Sequence, residues 1–196
     1  TTTVFASALA AFYQKICVGH VEAGLRTFDR FSPFPEEINR TLTASLADFH
    51  FAPTETAAGN LRREGRSEES IFVTGNTVVD ALLLGRAMLG QWDAERRSAL
   101  LVEAGLAPAV VARLLQGEGR FITVTAHRRE SFGAPFDRML EALHEITLRY
   151  PDVEIVYPVH PNPNVRKAVK RLLDGKARIH LIEPVRYEQL LSLMDN

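Results

Sequence analysis

The sequence predicts an α/β fold built on parallel sheets covered by helices on both faces. Three observations carry that expectation. Short apolar runs alternate with helical stretches along the whole chain, which is the pattern of strand–helix units in parallel sheets. The runs at 16–21, 121–125 and 153–157 each end in a turn-rich loop carrying charged groups or histidine, and open α/β sheets place ligands just past the carboxyl ends of strands. A glycine turn at Gly75-Asn76, at the exit of a strand, divides the chain into two such units, 1–75 and 76–196. The first reads as half of a doubly wound domain and the second as most of one.

Each element has its own signal. Residues 3–15 are small and apolar at helical spacing, which predicts a buried helix, and 16–21 predict a short strand. Residues 20–40 (HVEAGLRTFDRFSPFPEEINR) then crowd three glutamates, a histidine and three arginines into one loop. Pro35 suits the first helical position, with Glu36 and Glu37 in the first turn, where the helix dipole favours anions; that helix runs to about residue 47. A strand at 48–52 ends at Pro53, a helix at 54–64 stops at Gly65, and a strand follows at 71–74. Thr77 with Asp80 resembles a capping box for a helix over 78–89. Residues 90–120 predict two short amphipathic helices and a loop. Strands at 121–125, 153–157 and 179–182 then alternate with helices at 133–149, 163–173 and 187–194.

Composition narrows the class. A net charge of −1 over 196 residues gives no field that favours nucleic acid or a membrane surface. No run reaches the ~18 apolar residues of a membrane span. The single cysteine, Cys17, excludes an internal disulfide framework and suits a reducing cytosol. Three strand-to-helix loops carry the chemistry: 20–40, 125–133 (TAHRRESFG) and 158–164 (PVHPNPN).

The strings HVEAGLRT, SPFPEEINR, VTGNTVVDAL, TAHRRESFG and PVHPNPNV occur in this order. They resemble the non-hydrolysing UDP-N-acetylglucosamine 2-epimerases, and the resemblance spans nearly the whole chain except the stretch around 91–120. It implies two Rossmann-like doubly wound parallel-sheet domains in the GT-B arrangement, both incomplete here. It also implies a cytoplasmic homodimer that interconverts UDP-N-acetylglucosamine and UDP-N-acetylmannosamine. The family places a catalytic aspartate in a His-Gly-Asp run just before a threonine stretch, and this chain begins at that stretch. The expectation is a central fragment, truncated at both ends, of an active isomerase that feeds cell-surface polysaccharide synthesis, with the fragment itself inactive.

The implied reaction inverts C2 by eliminating UDP to a 2-acetamidoglucal and adding it back. It needs acid/base groups at C2 and stabilisation of the departing diphosphate. No metal, nicotinamide or pyridoxal is required. Glu22 and Glu36 match the family's motif glutamates and are the acid/base candidates. His127 is the third catalytic candidate, with Arg128 beside it: the pair binds the diphosphate and stabilises its charge, helped by the amino end of the following helix. The resemblance implies that His160 lines the substrate cleft. Arg128, His160 and Glu36 lie in motifs that border a second, allosteric UDP-N-acetylglucosamine site in bacterial members.

Plainer readings stand beside these. Glu36 is otherwise a helix-dipole charge, Glu22 a surface acid and His127 a turn histidine. Glu37 reads as an ordinary first-turn acid and His20 as a structural strand-end histidine. Arg26 either positions the loop through carboxylates or faces solvent, and Asn162 and Asn164 read as caps for the helix at Pro163. A zinc site at His20, His127 and His160 lacks ligand spacing. Residues 185–190 resemble the family's uracil-side turn, with Tyr187 offset. Other readings of the whole are a hydrolysing epimerase, a GT-B glycosyltransferase and a non-catalytic nucleotide-sugar binding module.

Overall fold

The computed structural model of the protein describes residues 1–126 and 132–195. The chain divides into two compact units, Thr1–Ala81 and Leu82–Asn196.

In the first unit, strands β1 (Gly19–Val21), β2 (Phe49–Ala52) and β3 (Ile71–Val73) form a parallel sheet in the order β1-β2-β3. Helices α1 (Thr2–Tyr13), α2 (Glu36–Leu46) and α3 (Glu55–Arg63) accompany it. The core is built from small side chains: Ala44 of α2, Ala57, Ala58 and Leu61 of α3, and Ala52 and Ile71 of the sheet. Methyl-sized groups let helix and sheet backbones approach closely, which leaves Leu61, 0% exposed, as the largest apolar anchor. The register sets His20 beside His50 and Phe51 beside Phe72. Because side chains alternate across a strand, the histidines share one face with Ile71. Phe49, Phe51 and Phe72 share the other, with ring centroids 6.2 and 5.8 Å apart.

Two expectations are corrected here. Helix α1 forms where expected but is not a buried helix: only Ala8 is covered, while Val4, Phe12 and Tyr13 are exposed. It packs on α2 through a narrow stripe, so apolar composition all round did not translate into burial all round. Strand β1 is shorter than 16–21, because Lys15 takes a left-handed φ of 57° and the Ile16 amide turns back to the Ala11 carbonyl.

Helix α4 (Thr77–Leu89) crosses the division between units. It starts one residue earlier than expected, and its first turn is capped by Asn76, whose Oδ1 accepts from the Val78 amide at 3.0 Å. The second unit holds α5 (Ala94–Glu103), α6 (Pro108–Gln116), β4 (Arg120–Thr123), α7 (Ala134–Arg149), β5 (Val153–Pro158), α8 (Pro163–Leu173), β6 (Ile179–Ile182) and α9 (Tyr187–Met194). Its sheet is parallel in the order β4-β5-β6. Phe136, Leu140, Val165 and Val169 of α7 and α8 cover one face with Ile155 and Tyr157. Leu101, Val111, Leu114 and Leu193 of α5, α6 and α9 cover the other with Val156 and Ile182. Helices on both faces explain why central strand β5 reads as a continuous apolar run. Its one acid, Glu154, is 3% exposed and meets Arg113 of α6 and, at 2.6 Å, His180 Nε2 of β6. Burial and the Arg113 charge hold the His180 imidazole below its ordinary pKa. Among the described residues no helix is long and apolar enough to cross a membrane.

The alanine-rich core gives a direct test. Leu61→Ala leaves a void that the surrounding Ala52, Ala57 and Ala58 are too small to fill. It should cost about 2–5 kcal/mol of unfolding free energy in chemical denaturation. A loss below about 1 kcal/mol would mean that α3 is not the anchor.

Candidate active site

The loop after β1 is fixed residue by residue. Glu22 follows the strand directly, is exposed, and has a left-handed φ of 58°. That region is costly for a residue with a Cβ. The next residues hold it there. The Ala23 amide donates to the Phe51 carbonyl at 3.0 Å. Gly24 has φ 81°, and a Cβ on it would lie 2.1 Å from the Ala57 carbonyl oxygen, so only glycine fits. The Gly24 carbonyl accepts from Asn60 Nδ2 at 2.8 Å, and Asn60 is itself buried on α3.

Arg26 answers its open alternative. Its side chain is 1% exposed and forms a two-pronged bond to Glu64 at the end of α3, Nε to Oε1 at 2.6 Å and Nη2 to Oε2 at 2.8 Å. Its Nη1 donates to the Leu25 carbonyl at 2.9 Å. The arginine is therefore an internal strut and not a solvent-facing charge.

Glu37, read from sequence as a plain first-turn acid, is 4% exposed. Its carboxylate accepts from the Thr27 amide at 3.1 Å through each oxygen and from the Phe28 amide at 2.9 Å. Arg40 Nη1 lies 3.9 Å from it. Glu36, one step round the same helix, is half-buried. The signal for this difference lay in the helical phase: Glu37 is seven residues from Ala44 and so on the covered stripe of α2. Asn60 and Glu64 were not singled out from sequence. They lie four residues apart, hence on one face at the C-terminal end of α3, and both turn toward the loop.

The structure thus places Glu22 and Glu36 at the two ends of one loop within the first unit, and both sit where the strand-end rule puts ligand groups. His127 and Arg128 lie outside the described residues. The residue before them, Ala126, is tied down: its carbonyl accepts from the Tyr157 hydroxyl at 2.9 Å. Burial pushes the Tyr157 phenol up to about 12. The amino ends of α7 and α8 open on a groove of about 420 Å³ lined by Phe132, Gly133, Phe136, Asp137, Asn164 and Lys167, and helix amino ends suit anions. His160, in the second unit, is exposed in the turn after β5, and its Nδ1 accepts from the Asn162 amide at 3.1 Å. Asn162 caps α8 through the Asn164 amide at 2.9 Å, as its position suggested.

His20 and His50 are buried side by side, and among the described residues the Nδ1 of each has no hydrogen-bond partner. Burial, His50 and Arg26 lower the His20 pKa from 6.5 to about 4, and burial with Arg66 and Arg26 lowers that of His50. Both are neutral packing groups at neutral pH. Among the described residues no three His, Cys, Asp or Glu side chains gather as a metal site.

Parallel sheets with charged loops at their strand ends define the broad class: a doubly wound α/β protein with charged loops at the carboxyl edge. The chain belongs to the UDP-N-acetylglucosamine 2-epimerase family, whose family model matches residues 1–196. A Ralstonia solanacearum protein named a probable UDP-N-acetylglucosamine 2-epimerase is 51% identical over 195 residues, covering 100% of this chain and 50% of the relative. The Escherichia coli UDP-N-acetylglucosamine 2-epimerase is 49% identical, with 100% and 50% covered. The crystal structure of the Neisseria meningitidis UDP-GlcNAc 2-epimerase bound to UDP-GlcNAc superposes with a TM-score of 0.84 at 41% identity, covering 99% of this chain and 50% of that one. The chain spans about half the length of these relatives.

The neutral His20 makes stability depend on pH. Folded, it takes up a proton only near pH 4, whereas an unfolded histidine does so near 6.5. Between those values the unfolded chain binds more protons, so stability is present above 6.5 and falls as the pH drops through that window. Denaturation should show a smaller loss from about pH 7 to about pH 4.5 in His20→Gln than in wild type. Equal losses would contradict a neutral, buried His20.

Proposed function

We propose that the protein of which this chain is part is a non-hydrolysing UDP-N-acetylglucosamine 2-epimerase, an isomerase acting on UDP-GlcNAc and UDP-ManNAc without a cofactor. Family membership supports the substrate. The structural observation that carries the chemistry is the display of Glu22 and Glu36 at the two ends of a loop clamped by Arg26–Glu64 and Glu37.

The reaction asks for such a pair. One carboxylate removes the C2 proton, the C–H electrons form the C1–C2 double bond, and the C1–O bond breaks to release UDP. Return of UDP to C1 with a proton delivered to the opposite face of C2 completes the inversion. A proton leaves one face and arrives on the other, which two separately held acid/base groups accomplish directly. His127 and Arg128 serve the diphosphate, where cationic donors stabilise the charge that develops on leaving. Residues 1–75 supply the acid/base loop as the second half of an N-terminal Rossmann-like domain. Residues 76–196 form most of the nucleotide-binding one. The same reading makes the whole protein a cytoplasmic homodimer, with Arg128, His160 and Glu36 bordering a second UDP-GlcNAc.

The test is proton NMR of the full-length protein with UDP-GlcNAc in deuterated water. Deuterium should enter C2 while the sugar stays joined to UDP. Free sugar accumulating would indicate hydrolysis, and binding without exchange would indicate a binding protein. Glu22→Gln and Glu36→Gln should each lower turnover about 100- to 10,000-fold while UDP still binds. Full-rate turnover in either variant would defeat the assignment of that residue.

A further inference from the structure

The two acids are only useful at a fixed separation, and a flexible loop would not hold them. Glu22 closes strand β1, and Glu36 opens helix α2. The segment between them has no regular structure of its own. Local bonds stiffen its middle: Asp29 Oδ1 accepts from the Phe31 amide at 2.9 Å, and the Thr27 hydroxyl donates to the Ser32 carbonyl. These bonds join the loop to itself. Arg26–Glu64 joins it to α3. Glu37 is the side chain whose hydrogen bonds join it to α2, the helix that carries Glu36.

The carboxylate of Glu37 is spent on this task. It is 4% exposed, and its two oxygens together take three contacts from the Thr27 and Phe28 amides. Phe28 has φ 63°, a backbone state that a residue with a side chain avoids unless its surroundings enforce it. Here one enforcing contact is the Glu37 oxygen on its amide, and another is the Arg63 guanidinium 4.9 Å above its ring. Buried, with both oxygens on main-chain donors, the Glu37 carboxylate is occupied within the fold.

We propose that Glu37 is a positioning residue that sets the separation of Glu22 and Glu36 by clamping the Thr27–Phe28 backbone to α2. The proposal rests on the epimerase reading of those two acids. It distinguishes neighbours that look equivalent in sequence: Glu36 moves protons and Glu37 holds the geometry in which Glu36 and Glu22 act together.

Glu37→Gln tests this with almost no change of volume. The remaining carbonyl can still accept from Thr27 and Phe28, but the other oxygen becomes an amide that faces the Thr27 N–H and Arg40, so the clamp is weakened while the helix remains. In the full-length protein kcat for C2 deuterium exchange should fall about 100-fold, the cost of a misplacement near 1 Å. KM should stay close to wild type, and the pH profile should keep its limbs because Glu37 transfers no proton. Glu37→Asp, which keeps both acceptor oxygens, should recover part of the loss. Amide hydrogen exchange should quicken at Thr27 and Phe28 in Glu37→Gln and stay unchanged in β2. Wild-type kcat, or unaltered exchange at those two amides, overturns the proposal. Loss of cooperative unfolding in both variants makes Glu37 a determinant of the fold and also overturns it. Wild-type protein that shows no exchange at C2 overturns the epimerase reading instead, and the amide measurement then decides by itself whether the clamp exists.

Discussion

The first unit depends on one ion pair, in which a buried arginine meets a partly exposed glutamate. Arg26 leaves the β1 loop, passes inward and closes on Glu64 at the end of α3, with two short bonds and a third to the Leu25 carbonyl. A guanidinium that is 1% exposed has lost its water, and its neutralisation by a single carboxylate is what makes the loop's path possible. Such pairs add little net stability over an apolar substitute, but removing one partner strands the other charge at a cost of about 3–5 kcal/mol. Their value is in specificity of path. A chain that must deliver Arg26 to Glu64 has little freedom in where it puts Glu22, four residues earlier.

Backbone strain and hydrogen bonding then balance along the loop. Glu22 and Phe28 both adopt left-handed φ values, 58° and 63°, each costing about 1–2 kcal/mol. Hydrogen bonds to a charged group contribute about 1.5–3 kcal/mol each, so the bond from the Phe28 amide to Glu37 is large enough to offset the strain at Phe28. Among the described residues Glu22 has no such bond to its own amide. Its conformation is held by the Ala23 amide bond to β2 and by Gly24 wedged against Ala57. Strain of this kind gathers where function needs a particular side-chain direction. The small-residue core of Ala44, Ala52, Ala57 and Ala58 is the other condition, because it lets α2 and α3 sit close enough to the sheet for Glu37 and Glu64 to reach the loop.

Much of this was legible in the sequence, and what was not has identifiable causes. Alternating apolar runs and breakers located the strands and helices, and Pro35 with two following acids marked the start of α2. Pattern reading could not see that α1 would present most of its apolar surface outward, since composition reports no partner. Nor could it foresee Lys15 turning left-handed and shortening β1. The adjacent acids 36 and 37 were separable only by helical phase, a weaker cue than residue type. Arg26 and Glu64 are 38 residues apart, and nothing local to either announces the other. The family motifs pointed to Glu22 and Glu36 as candidates but were silent on Asn60, Glu64 and the inward-facing Glu37, whose contacts belong to the packing.

The central claim is that a loop clamped from two helices presents both acids to one sugar ring. A crystal structure of the full-length protein with UDP-GlcNAc tests it most directly. The account predicts the Glu22 and Glu36 carboxylates at the C1–C2 edge of the sugar, each within about 3.2 Å or one water molecule of it, with the Arg26–Glu64 and Glu37 contacts unchanged. A bound sugar that meets only one of these acids, or neither, while the clamps remain in place would contradict it.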